Sequence, residues 1–202
     1  MSFIFTIDPH VHSKNSPDSK MTRKQIILKA LDLELDGICI TDHDIITKMA
    51  LDANILILLG CEITTKHGHI LAYGISEPIP KLLSAEDTID RIHDQGGIAI
   101  AAHPYRKFGQ INADILGLGN SDKIFSCPLN GVEVLNALNN KKENSKARET
   151  AKILKLPMIG GSDAHRRETI GKAVTRLSSS VGNIDDFIKC IKKGKIMPSS
   201  SY

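Results

Sequence analysis

The residues able to do chemistry in this chain recur at one kind of place. His10 and His12 stand one residue apart in "FTIDPHVHSKNSPD" (5–18), after a short apolar run and before Asp18. Alternate side chains of an extended segment share a face, so these two imidazoles converge on one point. Asp42, His43 and Asp44 follow in "TDHD", Glu62 in "LLGCEITT", and His67 and His69 in "KHGHILAYG". His103 begins "HPYR", Glu133 lies in "GVEVLN", and Asp163 and His165 close "GGSDAH". Of the eight histidines, His10, His12, His43, His69, His103 and His165 border apolar runs, a placement chance does not produce. Imidazoles mixed with carboxylates suit Zn, Mn or Fe, whereas Mg and Ca prefer oxygen alone. The donors are too many for one tetrahedral ion. A cluster of two or three divalent ions is expected, with Glu62 bridging two of them. Such clusters activate water and clamp the oxygens of a displacement at phosphorus. The absence of a G-x-S-x-G elbow agrees with water as the attacking group.

The apolar runs read as strands: 3–7, 37–41, 55–64, 69–74, 98–102, 131–136, 157–161 and 173–177. Between them lie amphipathic segments. One over 22–35 opens on the capping box of Thr22 and Gln25; others span 84–97, 143–155 and 183–194, the last with Asn183 as N-cap. A helical turn is expected over Thr47–Ala53, and 105–128 reads as loop with short helical pieces. Short, near-continuous apolar strands alternating with helices predict a parallel sheet covered on both faces. When such a sheet closes into a barrel, its C-terminal strand ends form the catalytic face. No Gly-x-Gly-x-x-Gly or Walker sequence follows a strand, which disfavours a nucleotide-binding open sheet.

A chain of 202 residues, 41% hydrophobic and 24% charged, fits one globular domain. The net charge of +3 is small and dispersed, so no nucleic-acid-coating surface is expected. Four cysteines without a C-x-x-C pair read as free thiols of a reducing compartment. Neither a signal peptide nor an apolar run of about 18 residues is apparent, so a soluble, cytoplasmic protein is expected. With 4% aromatic residues and no tryptophan, stacking platforms for long single strands are few. The expected partner is a small phosphorylated molecule, nucleotides included, with no membrane and no stable nucleic-acid complex.

The motifs "DPHVHS", "GICITDHD", "GCEITT", "HILAYG", "AHPYR", "GVEVLNA" and "GGSDAH", in that order, resemble those of the polymerase and histidinol phosphatase (PHP) superfamily. The resemblance implies an α/β, distorted (β/α)7 TIM-like barrel forming a single domain over 1–202. It also implies a two- or three-metal phosphoesterase site at the C-terminal face. By this resemblance His10, His12, Glu62 and Asp163 hold a first ion, Glu62, His69 and His103 a second, and Asp18, His43 and His165 a third. Aspartate at position 18 is similar to the small phosphoesterase branch rather than to the histidinol phosphatases, and the insertion of larger members of that branch is missing. Glu62, Asp163 and Arg106 are the expected catalytic residues. The Arg106 fork suits a phosphate oxygen pair, ahead of Arg166 and Arg167. His69 is preferred to His67 because it directly precedes an apolar run, and His93 is expected on a helix surface. Asp8 and Asp42 are expected to orient imidazoles from behind, and Glu133 to contact neighbours or substrate rather than an ion. The competing functions are an amidohydrolase-like hydrolase, a histidinol-phosphate-type phosphatase, and a non-catalytic metal-binding module partnering a polymerase.

Overall fold

The computed structural model describes residues 2–48, 54–107 and 117–200. Nine strands form one sheet: β1 (Phe5–Val11), β2 (Gly37–Ile40), β3 (Leu56–Thr65), β4 (Gly68–Tyr73), β5 (Ile98–Ala101), β6 (Gly131–Asn136), β7 (Met158–Gly161), β8 (Ala173–Leu177) and β9 (Ile196–Ser200). Their order is β7-β6-β5-β4-β3-β2-β1-β8-β9. The sheet curls until its ends meet. Val11 bridges Ala164 just beyond β7, with His12 N–H donating to Ala164 O at 3.0 Å. Within β7, Gly160 N–H donates to Thr175 Oγ1 of β8 at 3.0 Å. The result is a nearly closed, distorted barrel.

Among the described residues four α-helices pack on it: α1 (Arg23–Asp32), α2 (Ala85–Asp94), α3 (Lys141–Leu154) and α4 (Ile184–Lys192). Each starts where the sequence supplies a cap. Thr22 and Asn140 form capping boxes with Gln25 and Glu143, while Ser84 and Asn183 accept from the third helical N–H. The buried residues α1 presents, Ile26 and Ala30, join β2 in an outer core; α2 and α3 cover the other flank.

Apart from two bulges, the strands alternate between these outer layers and the barrel interior. Leu58, Leu71, Tyr73, Ile98, Ile100 and Ile159 point inward with Cys39, and Phe187 and Ile191 of α4 plug the end away from the histidines. The Phe187 ring meets Tyr73 edge-on at 5.3 Å. The same parity continues upward: Leu56 and Leu58 share a face with Glu62, and Tyr73 and Leu71 with His69. One inward face is thus apolar in its lower half and ligand-bearing in its upper half.

The expected parallel, helix-alternating pattern is corrected in two regions, around β4 and at β8–β9. The connection between β3 and β4 is the two-residue turn Lys66-His67, so β4 runs antiparallel to both β3 and β5. Reversal explains why a residue at the start of β4, His69, reaches the rim where other strands end. β8 also runs antiparallel to β1. Strand β9 was not expected, because "IMPSS" lacks an apolar pattern; Pro198 is tolerated there because the strand lies at the sheet edge. The helical turn expected over Thr47–Ala53 falls mostly outside the described residues. In 105–128, those described hold a short 3-10 turn at Lys123–Phe125.

Two bulges adjoin the rim. In β1 the register slips between Asp8 and Val11, and in β6 between Glu133 and Leu135. Pro9 has no N–H to continue the ladder, and its carbonyl instead accepts from Tyr73 Oη at 2.8 Å. Such bulges re-aim side chains beside a site: here His10 and Glu133 turn towards each other.

Candidate metal centre

Glu62 sits at the centre of the rim, fully buried on the long strand β3. Its Oε2 lies 3.1 Å from His10 Nε2, 3.1 Å from His12 Nε2 and 3.4 Å from His43 Nδ1. Its Oε1 lies 3.0 Å from His69 Nδ1 and 2.8 Å from His103 Nε2. Five imidazoles from four segments therefore surround one carboxylate. Asp163, just past β7, adds a second: its Oδ1 is 3.5 Å from His10 Nε2 and 3.3 Å from His12 Nε2. Asp18 stands outside this core and half exposed, 3.0 Å from His165 Nε2 and 3.4 Å from His43 Nε2. All nine expected donors converge on one cavity region. Eight of them fall into overlapping groups: His10, His12, Glu62 and Asp163; His43, Glu62 and His69; and His12, Asp18, His43 and His165. His43 thus stands beside Glu62 and His69 where His103 was expected, and His103 joins through Glu62 Oε1.

This donor set fits first-row divalent ions. His10 Nε2, His12 Nε2 and Glu62 Oε2 form a triangle with 3.1 Å sides, close to the ~3.0–3.4 Å ligand–ligand edges that bonds of ~2.1 Å produce. Two imidazole nitrogens facing each other at 3.1 Å invite a shared cation. Asp163 Oδ1 is buried without a well-formed hydrogen bond, a costly condition that an ion relieves.

The electrostatics agree. Burial would raise the Glu62 carboxyl, but His10, His43 and His69 outweigh it and hold it well below the usual carboxylate range. Burial is likewise outweighed at Asp163, by His10 and Arg106. Burial opposes protonation of His10, yet Asp163, Glu62 and Glu133 push it well above an ordinary imidazole. His43 is raised to about 9, against its burial, by Glu62 and Asp18. His103 goes the other way, to about 4, through burial and the nearby Arg106. The cluster holds ionised carboxylates whose charge protonated imidazoles offset; a divalent cation supplies the same positive charge with the imidazoles neutral.

Of the groups expected behind the imidazoles, Glu133 backs His10 while Asp8 and Asp42 do not back a ring. Asp8 accepts the Ser162, Gly171 and His10 backbone N–H groups, and Asp42 accepts Ser13 N–H at 2.6 Å and the hydroxyls of Ser13 and Thr47. Both tie loops together and neither touches a ring. Short turns need a buried acceptor for their N–H groups, and these aspartates serve it. Orientation comes instead from Glu133 Oε1, 2.9 Å from His10 Nδ1, from Ser16 Oγ, 3.0 Å from His12 Nδ1, and from the Asp163 carbonyl, 2.9 Å from His165 Nδ1. Ser16 carries no signal of its own in the sequence.

Arg106 lines the cavity but is already engaged. Its Nη1 donates to Asp163 Oδ2 at 2.6 Å, Nη2 to Asn136 Oδ1 at 2.5 Å and Nε to Asn139 Oδ1 at 2.8 Å. Arg166 and Arg167 are exposed away from the cavity lining. His67 lies apart, its Nδ1 accepting the Ala85 N–H at the start of α2, and half-buried His93 pairs with Asn130.

A profile described as the PHP domain matches residues 8–125, and one described as PHP-associated matches residues 141–196. The chain belongs to the PHP family. An uncharacterized protein of Methanocaldococcus jannaschii is 36% identical over 146 residues, covering 64% of this chain and 81% of that protein. Among solved structures, this PHP chain superposes with a TM-score of 0.75 on a two-domain Bacteroides vulgatus protein containing a predicted PHP-like metal-dependent phosphoesterase. The identity is 19%, and the match covers 97% of this chain and 64% of that one. A lesion-specific endonuclease of Pyrococcus furiosus gives 0.65 at 18% identity, over 94% of this chain and 56% of that one. At these identities the likeness concerns the PHP fold. Among the described residues no helix is long and apolar enough to cross a membrane.

Asp18 offers a clean dissection of this PHP cluster, because its half-exposed side chain contributes little to packing. Asp18→Ala is expected to weaken one ion held with His43 and His165 and to spare the others. Elemental analysis after stepwise dialysis checks this; loss of all ions together would contradict it.

Proposed function

We propose that this PHP protein is a metal-dependent phosphoesterase that hydrolyses a phosphomonoester or phosphodiester of a small molecule, nucleotides and short oligonucleotides being the leading class. The observation that carries the reading is the buried Glu62 carboxylate ringed by five imidazoles at the floor of a cavity of about 450 Å³. That volume suits one small ligand.

In this reading His10, His12, Glu62 and Asp163, with His69, His103, His43, His165 and Asp18, hold two or three Zn, Mn or Fe ions. When bound, the ions supply water activation and neutralise charge on the phosphoryl oxygens. Glu62 brings a permanent negative charge to the centre, and the backing contacts to His10 and His12 keep their Nε2 atoms directed inward. Arg106 keeps Asp163 ionised and oriented. Each of its Nη atoms carries a second N–H, which leaves a donor pair for phosphoryl oxygens. Every expected ligand position holds a competent donor, which favours catalysis over a purely structural module.

Carefully prepared protein is expected to carry at least two transition-metal ions per chain by elemental analysis. Less than one ion, with none taken up on titration, would overturn the ligand assignment. The functional test is a panel of phosphomonoesters and phosphodiesters offered to protein reconstituted with Mn, Zn or Fe. Expected is ester hydrolysis that a chelator abolishes and metal restores. No turnover with any of the three metals would overturn the reading.

A further inference from the structure

Strained backbone gathers around the cavity. Seven non-glycine residues among those described have positive φ, and four of them, Asp44, Leu82, His103 and Asp163, line it. Left-handed backbone costs an L-residue free energy, and such outliers cluster where geometry serves function. Three of the four have a polar side chain with a visible partner: Asp44 accepts from Thr64, while His103 and Asp163 face Glu62 and Arg106. Leu82 is different. It sits at φ +60, is 48% exposed, and turns an apolar side chain to the cavity wall. Elsewhere among the described residues this backbone region holds Gly74, Gly96, Gly171 and Gly194, or the polar Glu34, Asp122 and Lys155, so Leu82 is the one apolar side chain in it. The turn is pinned: Leu82 N–H donates to Thr64 O at 2.7 Å, and Lys66 N–H to Leu83 O at 2.9 Å. Exposed Lys81 lines the cavity beside it, the one lysine to do so among the described residues.

We infer that Lys81 and Leu82 form the leaving-group subsite. It accepts a phosphoester whose alcohol has a flat apolar face, laid against Leu82, and a further anionic group, met by Lys81. The inference rests on the phosphoesterase reading above and deepens it. The placement follows from the walls: the ligand floor and Arg106 address the phosphoryl group, so the remaining wall faces what that group is attached to. A leucine kept at a position where glycine relieves strain contributes through its side chain.

The test uses non-hydrolysable probes, ethylphosphonate, benzylphosphonate and 4-carboxybenzylphosphonate, titrated calorimetrically into the Mn-reconstituted protein, Leu82→Ala, Leu82→Gly and Lys81→Ala. Both Leu82 variants are expected to lower the benzyl-over-ethyl preference by roughly tenfold, the amount one buried ring face provides. Lys81→Ala is expected to lower the carboxybenzyl-over-benzyl preference roughly threefold, an effect that shrinks in high salt. Leu82→Gly, relieved of strain, is expected to keep or raise Tm. A preference within twofold of wild type in a variant overturns that residue's assignment. A Tm falling by several degrees in Leu82→Gly makes the leucine a packing residue and overturns the inference for it. Turnover separates the two readings: if the discrimination is found but the matching phosphate esters and the whole monoester and diester panel are left unhydrolysed with Mn, Zn and Fe, the phosphoesterase reading alone fails.

Discussion

Glu62→Gln is expected to lower metal affinity and phosphoester turnover each by about three orders of magnitude while leaving the fold intact. The size follows from charge. At ~4 Å and an effective dielectric of ~40, between the surface value and bulk water, one unit charge stabilises a divalent cation by about 4 kcal/mol, a factor of roughly 10³ in affinity. Glutamine keeps the shape of the side chain, so the barrel interior above Leu58 remains filled. It also places an amide donor where five imidazoles converge, so at least one ring nitrogen loses its acceptor. Burying that mismatch adds roughly 1–3 kcal/mol of instability in the metal-free protein. Metal content, calorimetric titration with Mn or Zn, and kcat/KM on the best ester of the panel measure the three effects separately. Full metal content with full activity would remove Glu62 from the centre of the mechanism.

That centrality is legible in the sequence, and the physical reason is periodicity. Glu62 shares parity with Leu56 and Leu58, so a strand that buries those leucines inside a barrel must bring the carboxylate inside too. The same parity places His69 with Leu71 and Tyr73. Spacing alone left His67 and His69 open; the two-residue turn decides it, because Thr65 pairs with Gly68 and leaves His67 at the tip, beside the start of α2. What pattern could not reach were contacts between segments distant in sequence. Glu133 meets His10 across 123 residues and Arg106 meets Asn136 and Asn139 across a β-bulge and a loop. Asp8 and Asp42 lie close to the clustered histidines in sequence. Asp8 nevertheless spends its oxygens on backbone N–H groups and Asp42 on the Ser13 N–H and the Ser13 and Thr47 hydroxyls, since the turns above the barrel need acceptors more than the rings do. Reversal of β4 escaped the pattern as well, because near-continuous apolar strands look alike in either direction.

Gly161→Ala is expected to cost metal affinity 10- to 100-fold at the His10 position and to lower Tm by several degrees. The side chain it adds is a single methyl, and the effect comes from where that methyl goes. A Cβ at Gly161 meets His10 Cβ at 2.6 Å and Glu133 Oε1 at 2.7 Å, both far inside contact distance. Neither neighbour can yield cheaply. His10 is fully buried and tethered through Nδ1 to Glu133, and Glu133 Oε2 accepts both the His103 N–H at 2.8 Å and Asn136 Nδ2 at 2.9 Å. Overpacking of this kind costs about 1–3 kcal/mol, which in a domain of this size corresponds to roughly 2–4 °C in Tm per kcal/mol. Moving Glu133 also frees the His10 ring to turn, and loss of such a backing contact weakens a metal site by the factor stated. Gly182→Ala is the control: its nearest neighbour is Asp186 Oδ2 at 3.7 Å, so stability and metal content should match wild type. Thermal unfolding followed with and without added Mn distinguishes the two costs, since the metal-induced rise in Tm reports affinity. If Gly161→Ala loses stability yet keeps the full metal-induced rise, the glycine serves packing alone and Glu133 does not set the position of His10.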